Sequence, residues 1–246
     1  MKTLSIYIKK FINGIILIIK VTLQTKKYNI GFYILLKFIL DIFFIYFVNI
    51  IKYKDKNKIF FNHCNNKINT SFNWFGSNAQ IWFFFFKKFK LFSKKISILE
   101  IGSFEGLSII YYYKFLKNIN VTAVDSVDKK TEYFKNFKKN TKNLKNFIFF
   151  NINAKKFFKR NQQKKYDLIY IDSSHWYKDV LFEGKKSLKL LNTGGILIFD
   201  DFLYTRGIKK KNCEYKNVMG GVILFLDWAK KIKVHYIGHQ VIIQKI

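Results

Sequence analysis

Proline is absent from all 246 residues, where average usage would give about a dozen. Alanine occurs four times and arginine twice, at Arg160 and Arg206. The residues that fill the chain are Phe, Ile, Lys, Asn and Tyr, whose codons are built from A and T. Composition therefore reports a strongly AT-rich genome before it reports a function, and the charge is discounted accordingly. A formal net charge of +30 would ordinarily point to nucleic acid or an anionic surface. Nearly all of it is lysine, whereas specific phosphate and base recognition draws on the arginine fork. Specific nucleic-acid binding is not expected; weak, salt-sensitive attraction to polyanions is. Cys64 and Cys213 are the two cysteines; they match no zinc or redox spacing and fit a reducing cytoplasm.

The first 60 residues lack the marks of a leader. No small-residue cleavage site follows the short apolar run Phe11–Ile19, so a signal peptide is not expected. Ile30–Ile51 is long enough to span a bilayer, but Lys37 and Asp41 stand in its middle. Each would cost roughly 2.5–3.5 kcal/mol at a helix centre, although their i,i+4 spacing lets them pair. The longest uncharged run, Ile42–Ile51, falls short of a span. The expectation is a helical extension over residues 1–66 packed on a catalytic domain of residues 67–246, with the polar stretch Asn66–Trp74 at the boundary. A helix lying on a membrane surface, or one crossing it, remains an alternative for the extension.

A helix is expected over Ala79–Phe92. From Ile96 onward short apolar strands alternate with longer helical stretches, the signature of a parallel sheet. The pattern predicts strands at Ile96–Ile101, Val121–Asp125, Phe147–Ile152, Asp167–Asp172 and Gly195–Asp200. Helices fall between them at about Leu107–Leu116, Lys130–Lys139, Ala154–Arg160 and Tyr177–Leu191, the last stopped by Gly194–Gly195. The tail reads as a helix over Val218–Lys230 and two strands, Lys233–Ile237 and Gln240–Ile246, around Gly238 and His239. The sum is an α/β fold, doubly wound, with a mostly parallel seven-stranded sheet closed by a C-terminal antiparallel pair.

Two constellations carry chemistry. In ILEIGSFEGLS, Ile98–Ser108, a buried strand ends in Glu100, turns through Gly102 and enters a helix past Gly106. Glycine there permits a tight turn and close approach of a ligand to helix N–H groups. Asp125 ends the next strand, where an acid can grip ribose hydroxyls. The second constellation is YDLIYIDSSHWYKDV followed by LLNTGGILIFDD. One helix separates its two strands, so a right-handed crossover makes them neighbours, about 4.8 Å apart, and Asp172 converges with Asp200 and Asp201. Such carboxylates repel unless a proton or cation sits between them, and Mg²⁺ or another divalent cation suits oxygen donors. His175, three residues past Asp172, stands where an imidazole could take a proton from a hydroxyl. The bland readings are that Asp172 and Asp200 are helix caps or loop acids and that His175 caps the following helix or binds substrate passively; His63, His235 and His239 are read as structural.

With these residues, the chain resembles the class I S-adenosylmethionine-dependent methyltransferases, of Rossmann-like fold. It is similar to their small-molecule O-methyltransferases of the catechol and macrolide-sugar types. Glu100, Gly102, Gly106 and Ser108 form the E-x-G-x-x-x-G-x-S pattern of the catechol type, and the likeness runs from about Phe72 to the C-terminus. The resemblance implies that Glu100, Gly102 and Ser103 hold the methionine end of S-adenosylmethionine and Asp125 its ribose. Asn153 and Ala154 would lie near the adenine, and Asp172 with Asp200 or Asp201 would ligate a metal. His175 replaces the lysine that serves as base in the catechol type and matches the histidine of the sugar-modifying relatives. It thus points towards a sugar or other small-molecule hydroxyl. Two alternatives stay open: a metal-independent methyltransferase acting on nitrogen or RNA, and a non-catalytic S-adenosylmethionine-binding or membrane-associated protein.

Overall fold

The computed structural model describes residues 2–46, 54–72, 75, 78–161, 163–205 and 213–246. Helices α1 (Lys2–Thr25), α2 (Tyr28–Tyr46), α3 (Lys54–Lys67) and α4 (Asn78–Lys88) precede the first strand. Then follow β1 (Lys95–Ile101), α5 (Leu107–Phe115), β2 (Asn118–Asp125), α6 (Glu132–Thr141), β3 (Phe147–Asn151), α7 (Ala154–Arg160) and β4 (Tyr166–Ile171). The chain continues through α8 (Tyr177–Leu190), β5 (Leu191–Phe199), α9 (Val218–Trp228), β6 (Ile232–Ile237) and β7 (Val241–Lys245). The seven strands take the order β3-β2-β1-β4-β5-β7-β6, with β5–β7 and β6–β7 antiparallel. This is the expected mixed sheet with its antiparallel closing pair. Residues 44–169 form one compact unit, and residues 1–43 with 170–246 form another.

In the unit of residues 44–169, β1 pairs in parallel with β2 from Lys95↔Asn118 to Ile101↔Val124, and β2 with β3 from Val121↔Phe147 to Asp125↔Asn151. Ile98, Leu99 and Ala123 are fully buried, as befits strands covered on both faces. Phe75, Trp82, Tyr111 and Tyr112 fill the space against α4, with Trp82 stacked on Tyr112 at 5.3 Å and the Tyr111 hydroxyl donating to the Ala79 carbonyl at 2.7 Å. Thr131 and Asn153 cap α6 and α7 by accepting from the amides of Phe134 and Lys156.

In the other unit, α8 packs on α9, and α1 packs on α9 and on the 3-10 turn Glu214–Lys216. Gln24 clamps that turn, donating to Glu214 Oε2 at 2.6 Å and accepting from the Tyr215 amide at 2.9 Å. The charged pair inside the apolar stretch has a structural use. Lys37 Nζ lies 3.0 Å from Asp41, whose Oδ2 accepts the Ile237 amide of β6 at 2.8 Å. Among the described residues no helix is long and apolar enough to cross a membrane.

Several expected boundaries move. The helix over Ala79–Phe92 stops at Lys88, Lys90 turns left-handed at φ 56, and a 3-10 turn covers Leu91–Ser93. Gly194–Gly195 do not stop α8, which ends at Leu190. Lys245 Nζ donates to the carbonyls of Leu188 and Leu191 at 3.0 and 2.7 Å. The helix end is thereby satisfied without a glycine at its cap, and both glycines fall within β5, Gly194 being left-handed there at φ 78. Asp172 and Asp200 stand one residue beyond their strands. Residues 47–51 of the apolar run Ile42–Ile51, and Trp74 with Asn73 at the expected domain boundary, lie outside the described residues.

Candidate active site

The glycine loop lies wholly in the unit of residues 44–169. Gly102 at φ 87 and Gly106 at φ 84 adopt the left-handed region, which glycine enters without a Cβ penalty. At Gly106 the backbone, not space, demands glycine, since an added Cβ would meet its nearest neighbours at 3.5 Å. The loop is folded by Asp125. Its Oδ2 accepts the amides of Ser103 and Phe104, both at 2.8 Å, and its Oδ1 accepts the Ser126 amide at 2.7 Å. A carboxylate has about four acceptor positions, so one on Oδ1 stays available for a ligand hydroxyl.

Glu100 is wholly buried at the end of β1. Ser108 Oγ donates to its Oε1 at 2.8 Å, while Oε2 and the buried Ser103 Oγ have no partner at hydrogen-bond geometry. Burial pushes the Glu100 carboxyl up to about 8, against the pull of the Ser108, Tyr112 and Ser103 hydroxyls; the Asp125 charge adds to the rise. Buried acceptors that neighbouring hydroxyls meet only at poor geometry are costly unless something completes them. An ammonium group on a ligand would do so, and the ammonium and carboxylate of a methionine moiety suit Glu100 Oε2 and Ser103 Oγ.

The neighbouring Glu105 was not singled out from sequence. It is also buried and accepts from the Ser71 amide and hydroxyl, from Thr70 Oγ1 and from Asn136 Nδ2, all within 3.1 Å. Burial would raise its carboxyl, but these donors hold it below the usual range. It thereby ties the segment before α4 to the loop. Nothing in the sequence distinguishes it from a solvated loop acid. Asn153 spends its side-chain oxygen capping α7, accepting the Lys156 amide at 2.9 Å, and Ala154 is the first residue of that helix. Asn151, at the end of β3, exchanges hydrogen bonds with Val127 at 3.0 and 3.1 Å and braces the segment after Asp125.

The acidic cluster lies in the other unit, where the Asp200 amide donates to the Ile171 carbonyl at 3.0 Å. The Tyr170 hydroxyl donates both to Asp200 Oδ2, in a very short contact, and to Asp172 Oδ2 at 3.2 Å. His175 Nε2 lies 2.9 Å from Asp201 Oδ2 and stacks its ring on Tyr204 at 4.3 Å. Its loop is pinned by Ser173 to Glu183 at 2.6 Å and by Ser174 to Asp179 at 3.0 Å. Asp172, Ser173, His175, Asp200 and Asp201 line a small pocket floored by Val180, Phe199 and Val218. Asp172, His175 and Asp201 each offer a ligand atom within 4.8 Å of one another, as do Asp200, Asp201 and His239.

His239 corrects the sequence reading, which set it aside as structural. Its Nδ1 lies 3.4 Å from Asp200 Oδ1 and its Nε2 3.6 Å from Asp201 Oδ1. The signal was in the strand order. Antiparallel pairing of Phe199 with Val241 carries the β6–β7 tip to the end of β5, and the Phe202 amide donates to the His239 carbonyl at 2.8 Å. Burial pushes Asp200 up, but His239, the Tyr170 hydroxyl and the Asp201 amide together hold it below the usual carboxylate range. His239 is raised in turn, chiefly by its hydrogen bond to Asp200 and against its own desolvation.

Residues 99–202 match the family model of a methyltransferase domain. No curated protein sequence matches the chain. Among solved structures, the MycE methyltransferase of the mycinamycin biosynthetic pathway, in complex with Mg, SAH and mycinamycin VI, superposes with a TM-score of 0.57 at 13% identity. That likeness covers 76% of this chain and 53% of MycE, so the chain spans about half the length of that relative. An O-methyltransferase from Bacillus cereus in complex with SAH gives a TM-score of 0.54 at 14% identity, covering 86% of this chain and 100% of that one. The SAH-bound methyltransferase PaMTH1 of Podospora anserina gives 0.53 at 16% identity, covering 78% and 87%. These likenesses carry the fold, and with the domain match they bear out the resemblance read from the loop and the acidic block.

Proposed function

We propose that this S-adenosylmethionine-dependent methyltransferase delivers its methyl group to a hydroxyl oxygen of a small molecule or sugar, with His175 as the base. The observation that carries the reading is the His175–Asp201 pair at 2.9 Å beside Asp172. With Nε2–H directed at Asp201 Oδ2, the ring is fixed in the tautomer that leaves Nδ1 to accept a proton. Asp201 is then a positioning group for that imidazole. The glycine loop holds the donor, with Glu100 and Ser103 on its methionine end and Asp125 on its ribose. The acceptor oxygen forms a bond to the methyl carbon, and the carbon–sulfur bond breaks with its electron pair returning to sulfur. The acceptor's proton passes to His175 Nδ1, and S-adenosylhomocysteine leaves. Holding donor and acceptor in attack geometry supplies most of the rate.

Asp172 and Asp201 are the residues suited to hold a divalent cation, and the Mg in the MycE complex supports that use. Asp200 suits it less, because it is more buried than Asp201 and accepts from both Tyr170 and the Asp201 amide besides facing His239. When bound, such an ion would supply orientation of the acceptor and a lowered hydroxyl pKa. One observation favours a metal-independent variant of the same reaction. Tyr170, His175 and His239 already offset the mutual repulsion of the three acids.

Methyl-labelled cofactor supplied with a panel of sugars, phenols, lipids and RNA, with Mg²⁺ or with EDTA, tests both points. Transfer to a hydroxyl compound that stops in EDTA and returns with Mg²⁺ supports the cation-assisted form. Full activity in EDTA removes the cation and leaves the His175–Asp201 pair. Labelled RNA, or labelled nitrogen in any product, overturns the hydroxyl acceptor.

A further inference from the structure

We infer that α1 and α2 form a docking surface for an anionic lipid bilayer, lying on it rather than crossing it. On α1 the residues Ile8, Ile12, Ile16, Ile19 and Leu23 are each 44–58% exposed, and their spacing puts them within about 80° of one another around the helix. Leu17, Ile18 and Val21 are buried on the opposite side. On α2, Tyr28, Phe32, Leu36 and Leu40 follow one another every fourth residue and stand 51–69% exposed, while Ile34 and Phe38 are buried. Each helix therefore has one apolar face in the core and a second one bare. A surface helix ordinarily turns a polar face outward. Ten of the seventeen exposed large apolar residues among the described ones lie between residues 8 and 40.

Codon bias does not explain this. In the same chain, α6 turns Glu132, Lys135, Lys138 and Lys139 outward and buries Phe137. The placing of charge, not its amount, favours one occupant: residues 1–40 hold lysine at the chain's average density and no aspartate or glutamate, and Lys20, Lys27 and Lys37 already meet Glu214, Asp227 and Asp41. Lys9, Lys10 and Lys26 are exposed, and on the helical wheel Lys9 falls beside the α1 stripe. Apolar side chains flanked by lysines suit an interface of acyl chains and anionic headgroups. A second copy would bring the same positive flanks against these, and a nucleic acid offers nothing to the apolar stripes. Among the described residues neither helix is long and apolar enough to cross a bilayer, so the contact inferred is with its surface.

Co-sedimentation of the full chain with vesicles of phosphatidylcholine alone, and with vesicles containing phosphatidylglycerol, tests this. Binding to the anionic vesicles should be at least tenfold tighter and should fall as salt is added. Replacing Ile12, Ile16, Phe32 and Leu36 by serine should abolish it while leaving S-adenosylhomocysteine affinity unchanged, and Phe32→Ser alone should weaken it. Lys9→Glu with Lys26→Glu should weaken binding to anionic vesicles with the apolar stripe intact. Absence of binding, or equal binding to both vesicle types, overturns the inference. So does lipid-free self-association relieved by the serine substitutions, which would assign the surface to a second copy.

Discussion

Glu100 and Asp200 make an instructive pair. Both stand at the C-terminal end of a strand, both are buried, and both feel desolvation as the largest influence on the carboxyl. Glu100 is pushed up to about 8, whereas Asp200 is held below its ordinary value. The partners make the difference. Glu100 meets hydroxyls and a second negative charge at Asp125; Asp200 meets an imidazole, a phenol and a backbone amide. Burial alone therefore says little about what an acid in this protein does. One acid is left wanting a positive partner, as a site for a ligand ammonium should be. The other has been given its positive partner by the chain, and is a support for its neighbours.

The largest expected effects come from removing the groups proposed to touch the reactants. His175→Ala should lower turnover by about 10²–10⁴-fold, the usual range for a general base, while calorimetry shows unchanged affinity for S-adenosylhomocysteine. An unchanged rate would leave a catalyst that works by proximity alone. Next comes Gly102→Val. A β-branched residue at φ 87 carries strain of roughly 1–3 kcal/mol and places a side chain where the methionine end is expected. A loss of about 100-fold in S-adenosylhomocysteine affinity should follow. Equal affinity would remove this loop as the cofactor site, and with it the meaning given to Glu100.

What sequence could reveal about these two acids was uneven, for physical reasons. The strands, the glycine turn and Asp125 were legible because short apolar runs and left-handed turns are local properties of the chain. That Asp172 and Asp200 converge followed from the handedness of one crossover. The identity of Asp200's partners did not. His239 is a half-exposed histidine in a tip sequence, Gly238-His239-Gln240, and only the antiparallel register of β5 with β7 brings it to the cluster. Glu105 was missed for the same kind of reason, since its donors come from residues 70–71 and from Asn136. The end of α8 was misread because a lysine 55 residues downstream of Leu190, Lys245, does the work assigned to a glycine.

A smaller effect should come from His239→Ala. Because His239 is raised by Asp200, its contribution to stability is fully present below the ordinary imidazole value and is lost as pH rises through its folded value. Asp200, being lowered, contributes above the ordinary carboxylate value and loses that contribution as pH falls through its own folded value. The pair stabilises most in the window between the two ordinary values. Thermal melts in chelator should therefore show the variant falling further below wild type at about pH 6 than at about pH 9. A deficit independent of pH would mean that His239 only packs there, and that Asp200 is held low by Tyr170 and the Asp201 amide.

The smallest expected signal is the release of a single proton, and it tests the other half of the pair. In the free chain Glu100 keeps a proton up to about 8, whereas an unfolded glutamate releases it near 4.5. Between those values the folded state holds more protons than the unfolded one, so Glu100 lowers stability progressively as pH rises through that window, with no further change above it. Glu100→Gln should abolish this slope, and the variant's advantage in melting temperature should be greatest at alkaline pH. If the cofactor's ammonium seats on Glu100 Oε2, binding must favour the carboxylate and expel the proton. Calorimetry of S-adenosylhomocysteine at pH about 7 in buffers of different ionisation enthalpy should then show release approaching one proton per ligand, and none in Glu100→Gln. Release of the same size from the variant would place the proton elsewhere. No release from wild type, with binding intact, would mean that the ligand meets Glu100 as a neutral acid and that its orphaned oxygen is completed by something other than a cation.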